Sequence, residues 1–201
     1  MFGHSEFRPP TPVMPSSVKV VVSGGFGVGK TTFIGAISEI EPLVTEASMT
    51  EMSLGVDDAG HRADKTATTV ALDFGRITLD SELILYLFGT PGQDRFVFLW
   101  DDLVDGALGA VIIVDTGRVE DCYPVLDYFE DHDTPFVVVV NRFDGATHFD
   151  LAEVREALGL DDWIPVLDCD ARDRDSVRDT LVALLEQVLL HRARPRHREV
   201  S

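Results

Sequence analysis

Apolar positions along this chain come in two arrangements, short unbroken runs and longer stretches where they recur at three- and four-residue intervals. The runs Val18-Lys19-Val20-Val21-Val22-Ser23, Gly109 to Asp115 and Pro135 to Val140 predict strands covered on both faces. Val70 to Leu79 and Glu82 to Phe88, with Asp80-Ser81 between them, predict an antiparallel hairpin whose second strand is central. A further strand is expected around Trp163 to Leu167. Helical spacing marks Thr32 to Ile40, through Phe33, Ile34, Ile37 and Ile40, with Pro42 as the stop. It returns around Tyr123, Leu126 and Phe129, over Leu151 to Leu158, and from Ser176 to Leu190. Between Val44 and Thr68 both periodicities fail and small, polar and acidic residues take over, which predicts a long loop of the kind that serves as a lid or switch. Strands alternating with helices specify an α/β fold: a doubly wound, mostly parallel six-stranded sheet with one antiparallel edge strand and helices on both faces. Its ligand belongs at the carboxyl ends of the strands.

Composition then bounds the setting. Pro9, Pro10, Pro12 and Pro15 followed by Ser16 and Ser17 make residues 1–17 an expected flexible arm. The domain is expected over 18–190, with the basic run 191–201 as a disordered tail. Lys and Arg number 17 against 35 Asp and Glu, a formal charge of -18, which opposes binding to nucleic acid or to an anionic membrane. Cys122 and Cys169, the two cysteines, lack metal-ligand spacing, and a reduced, cytoplasmic setting is expected. No apolar run approaches the roughly 18 residues of a membrane span, and Met1 to Phe7 lacks the basic and apolar parts of a signal peptide.

The first candidate chemistry follows directly on the first strand. Gly24-Gly25-Phe26-Gly27-Val28-Gly29-Lys30-Thr31 fits the glycine-rich phosphate loop G-x-x-x-x-G-K-[ST], with a strand before it and a helix, opening through Thr32, after it. Glycine permits the turn that aims backbone N–H groups at phosphate oxygens. Lys30 places an ammonium on the β- and γ-phosphates, and the Thr31 hydroxyl ligates Mg²⁺, a hard cation that keeps most of its waters.

Two more stretches join this loop in order: Thr90-Pro91-Gly92-Gln93 and Asn141-Arg142-Phe143-Asp144. Together the three resemble the small Ras-like GTPases over about Val18 to Leu190; the phosphate loop alone would mark only a P-loop NTPase. Gly89 stands where that superfamily usually has an aspartate leading the second stretch. In this the chain resembles the bacterial gliding-polarity GTPases, and more closely the GTP-binding proteins encoded in actinobacterial conservon clusters beside a sensor-kinase-like protein and a roadblock-type protein.

The resemblance implies roles residue by residue. Asp144 reads guanine, since a carboxylate accepts both N1–H and the exocyclic amine as a pair, a face adenine lacks. Asn141 ties that segment to the phosphate loop. Asp170-Ala171-Arg172 falls where a backbone N–H meets guanine O6, with Asp170 in place of the usual serine. Arg142 replaces the usual lysine, and its stem lies over base or ribose. Thr69 ligates Mg²⁺ from the first switch, with Thr66 and Thr68 as rivals, while Gly92 brings its N–H near the γ-phosphate and Gln93 orients the attacking water. The loss of the aspartate at Gly89 predicts weaker or differently arranged metal binding. Without the upstream loop, Asn141 to Asp144 would read as an ordinary polar strand end, and Lys65 to Thr69 as a β-prone run.

These readings describe a Mg²⁺-dependent, GTP-binding and GTP-hydrolysing switch in bacterial signalling with loops 44–69 and 89–103, Lys30 and Gln93 acting on the reacting phosphate. Unaided turnover is expected at on the order of 10⁻⁴ to 10⁻² per second. Phe26 is expected to obstruct an arginine supplied by a partner, or else to pack beside the second switch, which leaves charge stabilisation to Lys30, Mg²⁺ and backbone donors unless Arg95 or Arg62 swings in. The implied partners are guanine nucleotide, a roadblock-type regulator and a sensor-kinase-like membrane complex, through which the protein would reach a membrane. A non-hydrolysing nucleotide-binding scaffold is the alternative that Gly89 and Arg142 favour. An ATP-dependent kinase or ATPase is a third, opposed by Asp144.

Overall fold

The computed structural model describes residues 15–41, 43–50, 67–92 and 94–194, and for 43–50, 67–71, 94 and 95 the backbone only. The strands are β1 (Ser16–Ser23), β2 (Leu43–Thr50), β3 (Ala67–Thr78), β4 (Leu83–Gly89), β5 (Gly109–Val114), β6 (Phe136–Asn141) and β7 (Val166–Cys169). The helices are α1 (Lys30–Ile37), α2 (Trp100–Val104), α3 (Tyr123–Asp131), α4 (Leu151–Ala157) and α5 (Arg174–Ala193). They form one sheet in the order β2-β3-β4-β1-β5-β6-β7. β1 pairs in parallel with both β4 and β5, and β5 with β6 and β6 with β7 likewise, while β3 runs against both β2 and β4.

All six expected strands are present, and a seventh, β2, extends the sheet from within the segment expected to be loop. The antiparallel strand β3 is therefore not at the edge but second from it, covered by β2 from Leu43↔Phe74 to Thr50↔Ala67. β1 starts at Ser16, two residues before the expected domain start, and α5 continues through Ala193, so the basic run opens inside a helix. β7 starts at Val166 rather than Trp163. Residues 1–14, 51–66, Gln93 and 195–201, where the arm, much of the first switch and most of the tail were expected, lie outside the described residues.

The unbroken apolar runs have a simple cause: both faces of the sheet are covered. Val20, Val22, Leu85, Leu87, Val111, Ile113, Val137 and Val139 pack under α1 and α5, against Phe33, Ile34, Val177, Leu181 and Leu184. Val21, Ala110, Ile112, Val114, Val138 and Val140 face the other way, toward Trp100, Val125, Leu126, Phe129 and Val154. Successive residues thus serve opposite cores. Phe33 is fully buried, and truncating it to alanine would cost about 3–5 kcal/mol.

The order of strands reverses at β1: the chain first goes out to the edge at β2 and returns through β3 to β4 beside β1, then crosses to β5, β6 and β7 on the other side. Such a switch point leaves a crevice at the strand carboxyl ends, the usual ligand position in open α/β sheets. The loop after β1 occupies it.

Candidate functional site

The loop between β1 and α1 turns on Gly24, Gly27 and Gly29, at φ 139°, 74° and 108°, backbone that side chains other than glycine adopt rarely. Space enforces the same choice, since a Cβ at Gly24 would strike the Ile113 carbonyl oxygen, and one at Gly29 would lie 2.5 Å from Asn141 Nδ2. Gly29 caps α1 without a side-chain acceptor, and no acidic residue stands in the helix's first turn. The positive end of the helix is left for an anion from outside.

Lys30 folds back over the loop, its Nζ donating to the carbonyls of Gly24 (2.9 Å) and Gly25 (2.6 Å). Burial draws its ammonium down to about 8, against the negative charge of Asp73, which raises it. A phosphate beside it would push the value back up and favour the charged form. Thr31 Oγ1 donates to Asp73 Oδ2 at 2.7 Å, a contact between α1 and β3 that the sequence pattern gave no sign of. Phe26 stands 64% exposed at the loop tip.

The stretch after β4 is anchored at both ends. Ser23 and Thr90 share a hydroxyl hydrogen bond of 2.8 Å, the Thr90 N–H donates to Val22 O, and Trp100 Nε1 donates to Pro91 O at 3.4 Å. Gly92 lies against the phosphate loop so closely that a Cβ there would come within 2.7 Å of Lys30 Nζ and 2.8 Å of Gly25 O. Gln93, Thr66 and Arg62 lie outside the described residues, as do the side chains of Thr68, Thr69 and Arg95. The backbone of Thr69 runs within β3, opposite Ser48. Four residues of strand separate it from Asp73, about 13 Å along β3.

Asn141, at the end of β6, is buried and links two loops: its Nδ2 donates to Val28 O (2.9 Å) and its Oδ1 accepts from the Ala171 N–H (3.1 Å). The phosphate loop and the segment 170–172 are therefore one unit with the end of β6. In that segment the backbone donors are engaged. The Asp170 N–H meets Ser176 Oγ, that of Ala171 meets Asn141, and that of Arg172 meets Asp170 Oδ1 at 2.9 Å. A base carbonyl arriving here competes with the Asp170 carboxylate for the Arg172 N–H. Arg172 also spans to Asp144 Oδ2 at 2.8 Å, and Arg142 pairs with Asp168 at 2.9 Å. Hydrogen bonds to Asp170 and then to Asp144 raise the Arg172 guanidinium further above its already high value. Asp144 is 87% exposed, so this pair is screened by water and yields readily to a ligand.

The donors fit magnesium. Among the described residues no group of three acidic, histidine or cysteine side chains gathers for a protein-only cation site, whereas Thr31 and Asp73 offer one hydroxyl and one carboxylate. Mg²⁺ takes few protein ligands and completes its shell with water and phosphate oxygens. A cleft of about 520 Å³ lined by Thr116, Val119, Phe149, Val154 and Ala157 holds none of the phosphate-loop residues. Loop geometry rather than concavity locates the site.

The sequence pattern of a family described as conserved hypothetical ATP binding protein matches residues 22–192. The chain belongs to that family. The match runs from β1, ahead of the phosphate loop, into the last turn of α5. An uncharacterized protein of Methanocaldococcus jannaschii is 29% identical over 129 residues, covering 63% of this chain and 71% of its own. The Ras-related protein SEC4 of Saccharomyces cerevisiae is 25% identical over 132 residues, 60% of this chain and 61% of that protein. Among solved structures, the G domain of the FeoB iron transporter of T. maritima aligns with a TM-score of 0.57 at 20% identity, covering 88% of this chain and 99% of that one. The FeoB G domain of Methanococcus jannaschii gives 0.56 at 16%, with the same coverage. At those identities the two structures establish the fold, a P-loop G domain. No described helix is long and apolar enough to cross a membrane.

Proposed function

We propose that this ATP-binding family member is a guanine-nucleotide switch that hydrolyses GTP slowly with Mg²⁺. One observation carries the choice of base: the Asn141 amide fixes Asp144's segment and residues 170–172 to the phosphate loop, which sets a carboxylate at the rim where the base of a bound nucleotide would lie. Lys30 neutralises phosphate charge, Thr31 holds the metal, Gly92 closes on the γ-phosphate and Gln93 orients water. Magnesium, when bound, draws charge from the β- and γ-phosphates. The resemblance to gliding-polarity and conservon-encoded GTPases supports a signalling role in bacteria, with a roadblock-type regulator and a sensor-kinase-like complex as partners.

The nucleotide released on denaturing freshly purified protein tests the reading, together with competition among ATP, GTP and XTP. GDP or GTP is expected from wild type. Asp144→Asn is expected to lose guanine preference and gain xanthine, because its amide sets donors against guanine's donors and toward xanthine's added oxygen. Bound ATP or ADP, or a GTP preference surviving in Asp144→Asn, would count against it. A non-hydrolysing scaffold is the second reading, favoured by Gly89 and Arg142. Tight GTP binding with no phosphate release over hours in a single-turnover assay would select it.

A further inference from the structure

We propose that Asp73, carried by the antiparallel strand β3, is the magnesium-site carboxylate of this protein, standing in the space that Gly89 leaves open on β4. The inference rests on the nucleotide-binding reading above and goes beyond it in assigning the metal's acidic partner to a strand that carries none of the three recognised stretches.

Register and space make the first argument. β3 and β4 pair through Phe74↔Phe88, so the next position along sets Asp73 opposite Gly89. A Cβ on Gly89 would lie 2.9 Å from Asp73 Cβ and 3.1 Å from its Oδ2. Only one of the two positions can carry a carboxylate. Gly89 has no left-handed backbone to demand glycine; the crowding by Asp73 is what excludes a side chain there.

Chemistry makes the second. A threonine hydroxyl has one hydrogen and two lone pairs. Thr31 gives its hydrogen to Asp73 Oδ2 at 2.7 Å, which leaves its lone pairs to face a cation and holds the rotamer that does so. Asp73 keeps Oδ1 to accept from metal-bound water. Hydroxyl, carboxylate and the adjacent Lys30 then converge from α1 and β3 on the mouth of the phosphate loop, where a hard, water-rich cation is bound through one or two protein oxygens.

The test uses the full chain and two probes, GDP carrying a fluorescent label and Mn²⁺ followed by electron paramagnetic resonance. Wild type is expected to bind GDP in EDTA, to bind Mn²⁺ in the GDP complex, and to release GDP more slowly when Mg²⁺ is added. Asp73→Asn is expected to keep GDP binding in EDTA while losing roughly 10- to 100-fold in Mn²⁺ affinity, with most of the Mg²⁺ effect on release gone. The exchanged pair Asp73→Gly/Gly89→Asp is expected to recover Mn²⁺ affinity that Asp73→Gly alone lacks, which a purely structural role for the Thr31 contact would not produce. If Asp73→Asn fails to fold, the exchanged pair decides alone. Mn²⁺ affinity unchanged in Asp73→Asn, or an exchanged pair no tighter than Asp73→Gly, would overturn the inference while leaving nucleotide binding intact. A wild type that binds no nucleotide would overturn the functional reading and the inference with it.

Discussion

Asn141 shows how much one side chain can organise when both ends of its amide are used. Truncation to alanine leaves the Val28 carbonyl and the Ala171 N–H without their buried partner, a cost of about 1–3 kcal/mol. Because those partners belong to the phosphate loop and to segment 170–172, Asn141→Ala is expected to lower both urea stability and GDP affinity. Asn141→Asp keeps the acceptor for Ala171 but sets a buried carboxylate oxygen against the Val28 carbonyl, and should cost at least as much as alanine. Urea unfolding and fluorescence titration on the three proteins check this; a stability loss with GDP affinity intact would separate the two loops. Asp144 makes the opposite case, since an exposed ion pair with Arg172 adds little stability and leaves the carboxylate free for a ligand.

At the scale of elements, what the sequence disclosed depended on burial. β1, β5 and β6 were legible because each buries both faces and so reads as an unbroken apolar run. β2 was not: Leu43-Val44-Thr45-Glu46-Ala47-Ser48-Met49-Thr50 carries little apolar signal and is a strand through its pairing with β3, a non-local cause. The start of β7 was misplaced because Trp163 and Ile164 are apolar yet sit in the turn before the strand. Phosphate-loop residues were legible because their spacing is local, whereas the Thr31–Asp73 contact joins positions 42 apart and has no local signature. α4 offers a prediction of its own. Asp150 accepts from the Ala152 N–H while Glu153 reaches back to the Asp150 N–H, a reciprocal cap. Asp150→Ala should cost about 1 kcal/mol and lower Tm by about 2–4 °C for a chain of this size. Calorimetry measures the shift.

Across the whole molecule, the two cysteines report on opening. Cys122 and Cys169 are 0% and 2% exposed, and burial pushes the Cys122 thiol up to about 11 and raises Cys169 as well. Thiolates react and buried thiols do not, so labelling by a disulfide reagent at pH 8 should wait for unfolding. GDP at a hundred times its Kd stabilises the folded form by about 2.7 kcal/mol, and labelling of both thiols in dilute urea should slow by about 100-fold. Equal rates with and without nucleotide would place the thiols in a unit that opens without the site.

The opposition of Gly89 and Asp73 also bears on descent. Starting from this chain, an aspartate gained first at 89 meets Asp73 at contact distance with like charge, and an aspartate lost first at 73 leaves neither strand with a carboxylate. Either single substitution passes through an impaired ancestor, so a lineage that has adopted one arrangement is held there, and its descendants inherit the strand that bears the acid along with the fold.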